Sequence, residues 1–180
     1  ILLCQSAVNS FGSSVLAGYT AGSRIESICI VPMIATGNAV STFAAQNLGA
    51  ANTERVKKGY KTGVIMVFGF AVVLFAVVKL FGDFAVRAFL EEGSGQTAFH
   101  IGSAYVNFLA FFYVFIGLKS ITDGVLRGAG DMTMYMVANL VNLAARVLIA
   151  NYLSPLYGVE MIWYAIPLGW ALNFTISFIW

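Results

Sequence analysis

The sequence predicts an all-α polytopic membrane protein, a bundle of six apolar helices, and three observations carry that prediction. The 180 residues are 59% hydrophobic and only 10% charged, with a mean hydropathy of +0.84, which is more apolar surface than a water-soluble domain of this size can hide. Runs free of Lys, Arg, Asp and Glu reach the ~20 residues that cross a hydrocarbon core of ~30 Å: Ser27 to Thr53, Gly93 to Leu118 and Met161 to Trp180. The one dense basic cluster, Arg55, Lys57, Lys58 and Lys61, falls in the short gap between the second and third apolar stretches, as expected of positive charge at a membrane edge.

The first span is a stub, Ile1 to about Phe11, ended by Gly12-Ser13-Ser14. The second runs from about Val15 to Leu48 and is interrupted by Pro32 and Gly37. Proline removes a backbone hydrogen bond and kinks a helix. Thr53 as N-cap and Glu54 as an early acid start the third helix, which continues through Val78 into a mixed-charge segment with Lys79, Asp83, Arg87, Glu91 and Glu92. The fourth is expected as one helix from about Thr97 to Leu126, ending at Gly128-Ala129-Gly130. Asp131 or Thr133 caps the fifth, which reaches about Leu153. After the turn at Ser154-Pro155 and Gly158, the sixth starts near Glu160, with Pro167 as its expected kink.

The sequence opens and closes inside apolar helices and lacks an initiator Met, so residues 1–180 are expected to be a single six-helix unit cut within its first and last helices. The absence of a basic segment before the first apolar run argues against a signal peptide. Cys4 and Cys29 lie in apolar context and read as small buried hydrophobes, with no disulfide framework. A net charge of +2 gives no reason to expect nucleic acid.

Basic residues on alternate sides set the orientation. The turns after spans two and four hold Arg55, Lys57, Lys58, Lys61 and Arg127, with Lys119 just inward, against Arg24, Lys79 and Arg87 on the other side. The larger set is expected in the cytoplasm.

Polar residues that read as buried within spans are Gln5, Asn9, Asn38, Asn107, Lys119, Asp123, Asn139, Asn142, Arg146 and Asn173. An ionisable group there costs roughly 3 kcal/mol or more on insertion scales, which makes it a functional candidate. Lys119 and Asp123 are four apart on one helix face, either as a structural ion pair near the membrane edge or as a proton or cation relay. Asn139, Asn142 and Arg146 share one stripe of span five, either tying helices together or lining a cavity. In the aromatic run from Phe108 to Phe115, most rings are expected to face lipid, and Tyr113 is the one that can donate into a cavity. His100 reads as interfacial. The small residues, including eighteen glycines, allow close helix contact. No phosphate loop, metal cluster or nucleophile with its base is present, so neither enzyme activity, a cofactor nor a metal site is expected.

Three strings in fixed order resemble the multidrug and toxic compound extrusion (MATE) family of transporters. They are Val8-Asn9-Ser10-Phe11-Gly12 with Ala17-Gly18-Tyr19, then Ala45-Gln46-Asn47-Leu48-Gly49-Ala50 with Glu54-Arg55-Val56-Lys57-Lys58-Gly59, and Leu126-Arg127-Gly128-Ala129-Gly130-Asp131. Together with Arg146-Val147 and Ile166-Pro167-Leu168-Gly169-Trp170 they cover nearly the whole chain. The resemblance implies the C-terminal lobe, helices seven to twelve, of a twelve-helix, two-lobe transporter. The N-terminal lobe of the same polypeptide is then the missing partner. It further implies a plasma-membrane antiporter that exports amphipathic, often cationic compounds in exchange for sodium or protons. Gln5, Asn9, Asn38, Tyr113, Asn139, Asn142 and Arg146 are the expected cavity-lining residues.

The resemblance further implies a cation site, since some family members place carboxylates in the first and fourth helices of this lobe. Here those positions fall at Gln5 and near Ile116 or Gly117, so the coupling ion is expected mainly in the missing lobe. A lipid-linked oligosaccharide flippase of the wider superfamily, or a non-transporting membrane scaffold, are the alternatives.

Overall fold

A computed structural model describes Val8, Phe11 to Glu91 and Gly93 to Trp180. The stub expected at residues 1–11, with Cys4, Gln5 and Asn9, lies almost entirely outside the described residues. Everything regular that is described is helical: α1 (Ser13–Cys29), α2 (Val31–Gly49), α3 (Thr53–Phe89), α4 (Gly95–Ala110), α5 (Tyr113–Gly128), α6 (Met132–Leu148), a π-helical turn (Ile149–Leu153), α7 (Ser154–Tyr157) and α8 (Glu160–Ile179).

By length and composition these supply four membrane spans: Ser13–Gly49, Thr53–Phe89, Met132–Tyr157 and Glu160–Ile179. A fifth forms if α4 and α5 are one broken span. At 37 residues, α3 is about 55 Å long, well beyond the hydrocarbon thickness, so its ends reach the interfaces. One side of α3, through Gly63, Val67, Val78, Gly82 and Val86, is buried. Ile65, Leu80 and Phe84 on its other side are 72–75% exposed. Such an apolar exposed face suits lipid and no aqueous surface.

Three boundaries differ from the sequence expectation. The interruption within Ser13–Gly49 falls at Ile30, and Pro32 sits in the first turn of α2, where its missing N–H has no helical partner to lose. Gly37 does not interrupt that helix. The N-cap of α3 is Asn52, whose Oδ1 accepts from Arg55 N at 3.1 Å, and Thr53 is already helical. The fourth span is not one helix: α4 and α5 are bent by 54° at Phe111 and Phe112. Phe111 and Phe112 N–H donate to Phe108 and Leu109 carbonyls three residues back, a tightened turn that ends the α-helical register. The break turns the Phe111 ring outward, edge-on to Phe75 at 5.0 Å and under the Lys79 ammonium at 4.9 Å, and leaves Tyr113 fully buried. As expected, Asp131 caps α6, accepting from Met134 N at 3.0 Å. Pro167 lies inside an uninterrupted α8.

Glycine brings two helix pairs to backbone contact. In the α2–α5 pair, a Cβ on Gly37 would stand 2.4 Å from the Ser120 carbonyl oxygen, and one on Gly124 would stand 2.3 Å from that of Gly37. In the α1–α4 pair, a Cβ on Gly18 would stand 2.4 Å from the Ala98 carbonyl oxygen. Without a hydrophobic drive between helices in lipid, such close packing is what holds a bundle together. It fixes α1 on α4 and α2 on α5, while α6 and α8 close the interior beside them.

Candidate functional site

Two carboxylates, the half-buried Glu26 and the buried Asp123, organise the polar interior. Glu26, on the fourth turn of α1, points toward α4, where its Oε2 accepts a hydrogen bond from the Tyr105 hydroxyl at 2.5 Å. The Tyr105 ring is fully buried and meets Tyr19 edge-on at 5.3 Å and Trp163 of α8 at 6.1 Å. Gly22 makes room for Tyr105, since a Cβ there would stand 2.5 Å from its ring. From α6, the Arg146 charge acts electrostatically on Glu26. There is no ion pair within 4 Å between them among the described residues.

The second carboxylate, Asp123 on α5, is enclosed more fully. Its Oδ2 accepts from Lys119 Nζ at 2.7 Å and from Asn139 Nδ2 of α6 at 3.3 Å. Its Oδ1 accepts from the Ser177 hydroxyl of α8 at 3.1 Å. Lys119 also donates to Asn139 Oδ1 at 3.1 Å, and the pair's side chains are only 14% and 5% exposed.

A polar seam between α6 and α8 joins the two. On α6 it runs Asn139, Asn142, Arg146, and on α8 Ser177, Asn173, Gly169, each set one helical stripe. Gly169 allows the contact, because a Cβ there would meet Asn142 Oδ1 at 2.3 Å and the Arg146 stem at 2.9 Å. Asn173 is fully buried, and among the described residues neither of its amide atoms, nor Asn142 Oδ1 or Trp163 Nε1, has a hydrogen-bond partner. Buried polar groups without partners cost on the order of 1–3 kcal/mol each, so the seam is chemically set to receive polar atoms from a solute, an ion or water.

The expected residues are distributed unevenly. Asn139 joins the Asp123 cluster. Asn142 and the half-buried Arg146 lie on the seam. Tyr113 is buried beside Cys29, which its hydroxyl faces. Asn38 is exposed, accepting from Arg127 Nη2 at 3.0 Å, at the edge of a cavity of about 170 Å3 that also touches Lys119, Asp123 and Tyr135. Gln5 and Asn9 lie outside the described residues. Asn107 serves elsewhere, accepting from Lys79 Nζ at 2.9 Å.

Sequence reasoning missed Glu26, although it is a lone acid between Arg24 and a charge-free run. It also missed Tyr105, Trp163 and Ser177, whose apolar surroundings gave no signal. Among the described residues no group of His, Cys, Asp and Glu could hold a metal ion.

The family model described as MatE matches residues 2–153. The chain is 36% identical over 142 residues to the probable multidrug resistance protein YpnP of Bacillus subtilis, covering 79% of this chain and 31% of that protein. It is 25% identical over 183 residues to the probable multidrug resistance protein YoeA of the same organism, covering 97% of this chain and 39% of that one. The chain thus spans about a third of the length of the curated relatives it matches. A solved MOP superfamily transporter from Pyrococcus furiosus superposes with a TM-score of 0.89 at 20% identity, over 99% of this chain and 40% of that one. That likeness establishes the fold, one lobe of a two-lobe architecture.

Proposed function

The chain belongs to the MATE family of membrane transport proteins, and on that premise we propose that it is one lobe of a cation-coupled multidrug efflux antiporter. The reading places it in the plasma membrane, with the turns after Gly49 and Gly128 in the cytoplasm and amphipathic cations as substrates. The observation that carries it is Glu26, an intramembrane carboxylate held by Tyr105, whose ring in turn meets Tyr19 and Trp163 edge-on. A carboxylate among aromatic rings attracts organic cations both by its charge and by the ring faces.

Antiport needs a group that holds either the substrate or the coupling ion, and not both at once. Ionised, Glu26 attracts a cation and offsets the Arg146 charge. Neutralised by a proton, or paired with sodium, it leaves Arg146 as the uncompensated charge nearby, and the interior then repels a cationic substrate. The two states therefore differ in affinity, as exchange requires. The expectation that the coupling ion sits mainly in the other lobe rested on Gln5 and the Ile116 region, and Glu26 gives this lobe an acid of its own. Multidrug resistance names among the relatives favour efflux over the flippase and scaffold readings.

The test is Glu26→Gln in the full-length protein in proteoliposomes, with uptake of a cationic dye driven by an imposed proton or sodium gradient. Loss of gradient-driven transport with normal insertion supports the reading. Unchanged coupling assigns the ion to the other lobe and removes Glu26 from the mechanism.

A further inference from the structure

Where α3 begins and α5 and α8 end, the three helices enclose a groove of about 650 Å3 that the efflux reading does not use. Its floor is apolar, from Val125, Leu126 and Phe178, and its rim carries Lys57, Lys58 and Lys61. Between rim and floor the hydroxyls of Tyr60 and Thr122 pair at 3.1 Å. Two acids also line the groove, and both are engaged. Glu54 pairs with Lys57 at 2.8 Å, while Asp131 caps α6 and accepts from Trp180 Nε1 at 2.5 Å. The ammonium groups of Lys58 and Lys61 make no ion pair or hydrogen bond among the described residues.

These two lysines are three apart on one helix face, where like charges repel. They also stand within the first three turns of α3, near the positive end of the helix dipole. Topological bias accounts for basic residues at this edge of the membrane, but not for their forming the rim of a cleft with an apolar floor. An anion above the rim relieves both repulsions, and the floor selects an anion that carries a hydrocarbon chain. Basic pockets between helix ends at a membrane surface are the usual form of such a site.

We propose that this groove binds an anionic phospholipid of the leaflet at which α3 begins, with the phosphate on Lys58 and Lys61 and an acyl chain along Val125, Leu126 and Phe178. The proposal needs only a membrane edge at Thr53, so it stands or falls separately from the role of Glu26.

Native mass spectrometry of the purified full-length protein tests it, with palmitoyl-oleoyl phosphatidylglycerol and the phosphatidylcholine of identical chains as competing probes. Phosphatidylglycerol is expected to be retained selectively. The double variant Lys58→Gln, Lys61→Gln should weaken its retention about twenty-fivefold, from a contribution that is about fivefold for each lysine at a membrane surface. The charge-preserving Lys58→Arg, Lys61→Arg variant should retain it, and Lys79→Gln at the opposite edge should not alter it. Equal retention of the two lipids, indifference to the glutamine substitutions, or displacement by inorganic phosphate as readily as by the lipid would each overturn the proposal.

Discussion

Glu26 and Asp123 are both acids inside an apolar bundle, each with a basic residue nearby, and their surroundings assign them opposite roles. Asp123 receives hydrogen bonds from Lys119, Asn139 and Ser177 and so joins α5, α6 and α8. Among the described residues Glu26 receives one side-chain hydrogen bond, from Tyr105, and Arg146 acts on it from beyond ion-pair distance. A carboxylate that accepts from three side chains is fixed in place by them. One with a single donor and a distant counter-charge keeps room for another ligand. Partner count and burial therefore separate the structural acid from the available one in the same sense, since Asp123 is buried and Glu26 half-buried.

Substitutions can break or sharpen that contrast. The largest effect is expected for Glu26→Gln, which should remove gradient-driven dye transport almost entirely while changing thermal stability by less than about 1 kcal/mol, since the amide can still accept from Tyr105. A large loss of stability in a detergent melting assay would show that Glu26 is structural too.

Asp123→Ala should do the reverse. It leaves a buried ammonium unpaired, at about 3–5 kcal/mol, and so lowers the melting temperature and the inserted amount. Transport per inserted molecule should stay near normal. The double variant Lys119→Met, Asp123→Leu should recover much of that stability, because a buried pair exchanged for apolar residues is often neutral. If the double variant is stable yet uncoupled, Asp123 belongs to the ion pathway and the contrast fails.

Tyr105→Phe removes the one donor to Glu26 while keeping the ring between Tyr19 and Trp163. A bond to a charged group contributes about 1.5 kcal/mol, so dye KM should change by about tenfold with little change in folding. Ser177→Ala should be the mildest, about 0.6 kcal/mol for one interhelical hydrogen bond in a membrane, read as a small fall in melting temperature and no change in KM.

The parts of the molecule that were legible in the sequence follow from rules with short reach. Spans are legible because a bilayer demands runs of apolar residues, and the Lys119–Asp123 pair because four residues make one helical turn. Asp131 announces itself as a cap for the same reason. The fourth span misled because Ala110 to Tyr113 holds neither proline nor glycine, and the Phe111 ring at the bend is met by Phe75 and Lys79 of another helix. Glu26 was passed over because its meaning lies in Tyr105, 79 residues away. Ser177, 54 residues from Asp123, is indistinguishable in sequence from any small residue of an apolar helix.

The breaks at Ile30 and at Phe111 and Phe112 occur in partnered elements: α1 packs on α4 ahead of them, and α2 on α5 beyond them. The lobe is thereby divided like a book into two leaves, each stitched by its own glycine contacts, with the unbroken α3 and α8 as its boards. Glu26 and Tyr105 lie in one leaf, Asp123 in the other. A rotation at the crease changes the spacing between the two acids without unpicking either set of glycine contacts. Mechanical compliance is thus concentrated in a few residues around Ile30 and Phe111, and Ile30, whose N–H donates to the Glu26 carbonyl at 3.0 Å, sits one helical turn from the carboxylate that any such rotation would carry.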